Sequence, residues 1–471
     1  DNLLGTIDAA DLTTLNVSGA KSLTMAALSN TTLLATVNAS GLTGTAALVM
    51  GTNASTTAST ITGSAGADTL TGGTKADTIT GGAGIDTITG GAGGDTVNGG
   101  DGDDIITAGA GADIINGDAG DDTIKIATAN LTSLDTIDGG TGANTLSMTN
   151  TSSVSDADFT NITNVQTIKQ TTSAHNMTLI LGAASNASGL TTVTDGTGVT
   201  NVTVGAGHTN ALTVALSTGA DVVDGSASAA VLDITIANAS ITSTDALTGG
   251  TSTSDTLTIT ADGSTVTDTE LGGVTGIETF VYATNATTGA ITLADVNIAD
   301  GKALTIDGTA ITGSNKVLTV VGTNETNGSL TVKGGAGDDV ITGTASSLGD
   351  NLQGNAGNDT FNFATANFTT LDTVDGGAGT TDTINISDAA TVVDADFTNV
   401  TNVEKLTGAA ALTVTIGDVA QAAALSTISS AGALTLTIDK EYTSALTLAL
   451  VATNDTITGT AYTGDLSITY A

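Results

Sequence analysis

Seven aspartates stand nine residues apart, at Asp68, Asp77, Asp86, Asp95, Asp104, Asp113 and Asp122. A glycine-rich loop precedes each one. An aliphatic residue follows two positions later, at Leu70, Ile79, Ile88, Val97, Ile106, Ile115 and Ile124. The donors on offer are Asp carboxylates and the carbonyls of glycine-rich backbone. These are hard oxygens, and with about six or more ligands per ion they select Ca²⁺ over Zn²⁺ or Cu²⁺. Mg²⁺ is disfavoured because it keeps its waters and resists an all-protein cage.

The elements around these aspartates must be short. A strand of about three residues, such as Thr69-Leu70-Thr71, buries one side chain, so it has to stack on copies of itself. The six residues before it must reverse the chain, which glycine does at little steric cost. Two nine-residue units then make one coil. Asp68, Asp86, Asp104 and Asp122 line one edge, and Asp77, Asp95 and Asp113 line the other. At the ladder spacing of about 4.8 Å, stacked carboxylates repel, and a cation between adjacent loops is required. The candidate ligands in this stretch are these seven aspartates together with Gly66, Gly82, Gly84, Gly91, Gly93, Gly100, Gly102, Gly109, Gly111 and Gly120.

Units such as Gly81-Gly82-Ala83-Gly84-Ile85-Asp86-Thr87-Ile88-Thr89 resemble the G-G-x-G-x-D-x-U-x repeat of RTX proteins, which form a Ca²⁺-binding parallel β-roll. The resemblance is continuous over 63–125 and partial elsewhere. Ser64 and Asp118 replace the second glycine, Ala108 the first and Lys75 the third. Lys75 sets a positive charge where a carbonyl should face the ion beside Asp77.

A second, shorter array runs over 334–385. Gly334 to Thr342 carries Asp339, Gly343 to Gln353 is two residues longer and carries Asp350, and Gly354 to Asn362 carries Asp359. Asp339 and Asp359 are expected on one edge, with Asp382 closing the array. Gly335, Gly337 and Gly357 complete its candidate ligands, and Asp338 and Asn358 widen the donor set.

A longer motif occurs three times. It joins Asp156-Ala157-Asp158-Phe159, Asp268-Thr269-Glu270-Leu271 and Asp394-Ala395-Asp396-Phe397 to apolar residues three apart. It reads as a capped helical turn or a solenoid corner, with Asp394 and Asp396 open either to capping or to Ca²⁺. Leu-Thr-aliphatic triplets, among them Leu212-Thr213-Val214 and Leu446-Thr447-Leu448, read as half-buried strands.

The expected fold is all-β, a right-handed parallel β-solenoid with Ca²⁺-binding β-roll segments. Its parts are N-terminal coils over 1–62, the roll over 63–125, an irregular solenoid over 126–237, a second module over 238–333, the short array over 334–385 and C-terminal coils over 386–471.

Composition supports this reading. The 471 residues include 61 Gly but no Pro, Cys or Trp, and aromatics are 2%. Absent proline suits a chain spent on ladders, and absent cysteine excludes disulfides and thiolate metal sites. All nine basic residues are lysine and the net charge is −39. Nucleic acid and anionic membrane are therefore disfavoured as partners. No apolar run is long enough for a transmembrane helix. The histidines, His175 and His208, supply no Ser-His-Asp or Cys-His set, so no catalytic residue is assigned and no enzyme is expected.

The start at Asp1 without a visible signal peptide fits a processed chain or a fragment, and a C-terminal secretion segment is either missing or beyond these residues. The resemblance implies a secreted structural protein, closest in character to bacterial S-layer proteins of the RTX type. In that setting several Ca²⁺ ions fold the chain and join copies of it into a cell-surface lattice, with surface polysaccharide as a second partner. The alternatives are the stalk of an RTX adhesin or filament, and the non-catalytic roll of a secreted enzyme.

Overall fold

A computed structural model describes residues 2–29, 33–170, 176–260, 265–283, 288–451 and 454–470. His175 lies outside them. The chain divides into two compact units, Asp1–Leu232 and Asp233–Ala471. Each is a parallel β-solenoid, and every strand pairing described is parallel.

In the first unit the register of the roll is 18 residues. Leu70 lies against Ile88 on one face, and Ile79 against Val97 on the other. Each coil therefore contributes one aliphatic side chain per face to a narrow core. Leu70, Ile79, Ile88, Val97, Ile106, Ile115 and Ile124 are all fully buried, and each contributes about 1.5–3 kcal/mol by leaving water.

Strand length departs from expectation. Thr60–Thr62 and Thr69–Thr71 are three residues long, but Thr78–Ala83, Thr87–Ala92, Thr96–Asp101, Ile105–Ala110 and Ile114–Ala119 are six. The loop residues stay in the ladder, with Gly82 against Gly100 and Gly91 against Gly109. Side chains would prevent this, since a methyl group on Gly102 would run into the Gly84 carbonyl. Past the roll the coils lengthen: Ile115 pairs with Ile137, and Ile137 with Ile162. A further face is added by Ser152–Val154, Met177–Leu181 and Thr200–Val204.

The second unit repeats the plan with longer coils. Ile341 pairs with Phe361, and Leu352 with Val374. The Leu-Thr-aliphatic triplets at Leu318, Leu330, Leu412, Leu434 and Leu446 all lie in strands. At the end of the short array and just past it, Phe363, Phe368 and Phe397 form a cluster, with ring centroids 5.2 and 5.7 Å apart along it.

The thrice-repeated motif makes 3₁₀ corners at Asp156–Phe159, Glu270–Gly273 and Asp394–Phe397. Asp158 and Asp396 each accept a backbone N–H at 2.8 Å, from Ser155 and Val393 respectively. Asp394 accepts the N–H groups of Gly417 and Ala420, 2.6 and 2.9 Å away, at the start of the next coil's short helix. These carboxylates cap backbone donors.

Candidate metal centre

The roll aspartates form two continuous files. On the first edge the N–H of Asp68 donates to Oδ1 of Asp86, that of Asp86 to Asp104, and that of Asp104 to Asp122, at 2.7–2.8 Å. On the second edge Asp77 donates to Asp95, and Asp95 to Asp113, at 2.8 Å. In the second unit Asp339 donates to Asp359, and Asp359 to Asp382, each at 2.7 Å. Asp350 stands on the opposite edge, where its N–H donates to Asp372 at 2.9 Å.

One carboxylate oxygen thus serves the preceding coil, and the other divides the sites. The Oδ2 atoms of Asp86, Asp95, Asp104, Asp113, Asp122, Asp359 and Asp382 are buried with no hydrogen-bond partner among the described residues. An ionised carboxylate oxygen buried without a donor is costly. Its nearest neighbours worsen the position. A methyl group on Gly117 would meet both Asp122 Oδ2 and the Gly139 carbonyl oxygen, and one on Gly354 both Asp359 Oδ2 and the Gly376 carbonyl oxygen. Two acceptors therefore converge on one small space.

Electrostatics point the same way. Burial, helped by carboxylates of the adjoining coils, pushes Asp86 and Asp359 up to about 7, and Asp95 and Asp104 up to about 6. Two lysine–carboxylate pairs form among the described residues, Lys333 with Asp307 and Lys440 with Glu441. Neither involves a roll aspartate, and Lys75 is exposed.

Among the described residues no three His, Asp or Glu side chains gather round one point. A cation here would be held by carboxylate and main-chain carbonyl oxygens together, which suits Ca²⁺. The residues fit the ion.

The glycines play distinct parts. Gly82, Gly91, Gly100 and Gly109 take left-handed φ of +111° to +124°, and so do Gly84, Gly93, Gly102, Gly111, Gly120 and Gly357 over a wider range. Gly84 donates its N–H to the Asp101 carbonyl at 2.7 Å, holding successive loops in register. Gly66 donates to Ser64 Oγ at 3.1 Å, and Gly335 to Asp339 Oδ2 at 2.6 Å. Gly337 stacks against the Lys316 carbonyl.

A family model for the RTX calcium-binding nonapeptide repeat, four copies long, matches residues 62–97, 89–124, 134–147, 331–347 and 344–362. The chain is an RTX β-roll repeat protein. These matches cover the first array, the short array as far as residue 362, and residues 134–147 beyond the first. A search among curated proteins gives no match. RTX repeats bind Ca²⁺, so this RTX protein is a Ca²⁺-binding β-roll protein.

Sequence reading missed where the files end. Asp113 donates to Asp135, Asp122 to Asn144, Asn144 to Gln166 Oε1 and Asp382 to Glu404 Oε2. The signal was there in Asp135-Thr136-Ile137 and Asn144-Thr145-Leu146, which repeat the roll triplet at a wider spacing. The second histidine, His208, is buried, with Nδ1 3.3 Å from Ser185 Oγ. Burial holds its ring below the usual histidine range. No helix among the described residues is long and apolar enough to cross a membrane.

Proposed function

We propose that this RTX protein is a secreted, non-catalytic structural protein that folds on Ca²⁺ and assembles with copies of itself into a cell-surface lattice. The observation carrying the Ca²⁺ dependence is that seven buried Oδ2 atoms in the two arrays have no donor among the described residues. Asp86, Asp95, Asp104, Asp113, Asp122, Asp359 and Asp382 would hold the ions, together with carbonyls of the glycine loops. When bound, Ca²⁺ supplies positive charge and oxygen coordination between adjacent coils.

Without it, the stacked carboxylates repel and the glycine-rich loops regain their entropy. An open chain of this kind suits export, and binding free energy becomes folding free energy where Ca²⁺ is plentiful. Extracellular modules of this class bind in roughly the 10⁻⁴–10⁻³ M range. The lattice reading is supported by the net charge of −39, which leaves surface carboxylates for Ca²⁺ contacts between copies, and by the stack of solenoid coils.

Electron microscopy of the purified chain tests it. Ordered two-dimensional sheets are expected on adding millimolar Ca²⁺, and loss of the sheets in chelator. Particles that stay monomeric or join only end to end in Ca²⁺ would favour an adhesin stalk or the roll of a secreted enzyme.

A further inference from the structure

The roll loops are of two kinds. In one, the second loop residue is left-handed: Gly82, Gly91, Gly100, Gly109, Asp118, Asn355 and Gly377 have φ from +68° to +124°. Each of the aspartates that follow them, Asp86, Asp95, Asp104, Asp113, Asp122, Asp359 and Asp382, has an Oδ2 without a partner among the described residues. In the other kind that residue is not left-handed, and its N–H turns inward onto its own aspartate. Ser64 donates to Asp68 Oδ2 at 2.6 Å, Gly73 to Asp77 at 2.5 Å, Gly335 to Asp339 at 2.6 Å and Thr344 to Asp350 at 2.8 Å. Ser64 and Thr344 add their hydroxyls. In these four both carboxylate oxygens are occupied, because Oδ1 already accepts from the preceding coil: from Leu48, Ser59, Leu318 and Leu330.

The capped loops sit where each file begins, and three of the four far ends are closed as well. Asp135 Oδ2 accepts the Thr132 N–H, and Asp372 Oδ2 the Thr369 N–H, both at 2.7 Å. Asn144 closes the first edge differently. Its Oδ1 accepts from Asp122 at 2.9 Å and its Nδ2 donates to the Asn164 carbonyl at 3.0 Å. That is the direction in which Asp122 presents a bare oxygen to the Gly139 carbonyl. An amide N–H stands where an aspartate needs a cation.

We propose that Asp68, Asp77, Asp339 and Asp350 are ion-independent caps rather than Ca²⁺ ligands, that Asn144 is an amide plug, and that Ca²⁺ is confined to the open loops between them. This deepens the reading above and rests on it. An N–H directed at Oδ2 satisfies that oxygen and turns a positive dipole toward any approaching cation. The capped coils fold without metal and give the open coils a template, which removes the costly first step of solenoid growth.

The test uses aspartate-to-asparagine exchange in the full chain. At an open loop, as in Asp104→Asn or the triple variant D86N/D104N/D122N, the new amide can copy Asn144. Bound Ca²⁺, counted by equilibrium dialysis, should fall, while the melting temperature in chelator should rise. At a cap, as in Asp68→Asn or Asp77→Asn, the amide meets an N–H with another N–H. Bound Ca²⁺ should hold at the wild-type count, and the melting temperature should drop in chelator and in Ca²⁺ alike. Hydrogen exchange in chelator should show residues 60–77 protected and residues 82–122 open. Cap variants that lose Ca²⁺ as the open variants do would overturn the proposal, and so would open variants with no gain in chelator. Wild type that binds no Ca²⁺ at all would instead overturn the function proposed above.

Discussion

The backbone N–H of Asp86 donates to Oδ1 of Asp104 across 2.7 Å. Each open-loop aspartate in the file is thus an acceptor for the coil before it and, through Oδ2, a candidate ligand for the coil after it. This double duty separates two substitutions that look alike. Asp104→Ala strands the buried Asp86 N–H, at about 1–3 kcal/mol, so it should weaken the roll even in saturating Ca²⁺. Asp104→Asn keeps Oδ1 and should be less damaging there. Urea melts of both variants in millimolar Ca²⁺, read by circular dichroism, check the order.

Acidity should partly stand in for the metal. Burial raises the folded-state values of Asp86 and Asp359 to about 7, and of Asp95 and Asp104 to about 6, against about 4 for an aspartate in the unfolded chain. A group whose folded value is raised binds more protons when folded, so ion-free stability rises as pH falls through that window. In chelator, the β signal should therefore grow between pH 7.5 and pH 5, and apparent Ca²⁺ affinity should weaken over the same range. An ion-free β signal flat across that range would contradict the burial of these carboxyls.

The aromatic cluster of the second unit offers a test away from the carboxylates. Phe397 is fully buried and stacks edge-on against Phe368 at 5.7 Å. Phe397→Ala leaves a cavity beside the short array, at a cost of about 3–5 kcal/mol. Coils of a solenoid couple mainly to their neighbours, so faster hydrogen exchange should concentrate between residues 360 and 408 and spare the roll over 63–125.

Much of this was legible in the residues. The nine-residue period fixed which aspartates share an edge, because a two-strand coil leaves one register in which every aliphatic points inward. The role of Asp158 and Asp396 at a capped corner was equally readable, since Asp three residues into a turn is a capping pattern. The six-residue strands were not, because glycine in sequence signals a turn, and only stacking on identical glycines turns it into a ladder. The split between capped and open loops was also hidden. Gly73 and Gly91 are the same residue at the same repeat position, yet Gly91 is left-handed at +113° and Gly73 is not. What differs is the coil beneath: Gly91 stacks on the Gly73 carbonyl, while Gly73 lies over Ser55, outside the repeat. A neighbour one coil away decides the loop, and a single unit carries no trace of that.

That dependence on the coil below makes glycine substitutions the sharpest probe of the stacking. Gly102 has φ +134°, a region open essentially to glycine alone, and a methyl there would strike the Gly84 carbonyl. Gly301 is also left-handed, at +70°, but has no atom of the described residues within 4 Å of its missing Cβ. Gly301→Ala should cost only the backbone preference, about 1–2 kcal/mol. Gly102→Ala adds a collision between two coils whose spacing is set by their own hydrogen bonds, so it should cost clearly more and lower Ca²⁺ affinity by prising the Asp86 and Asp104 loops apart. Calcium titrations followed by circular dichroism should show a right-shifted curve for Gly102→Ala and an unshifted one for Gly301→Ala. Coincident curves would mean that coil spacing does not govern the sites.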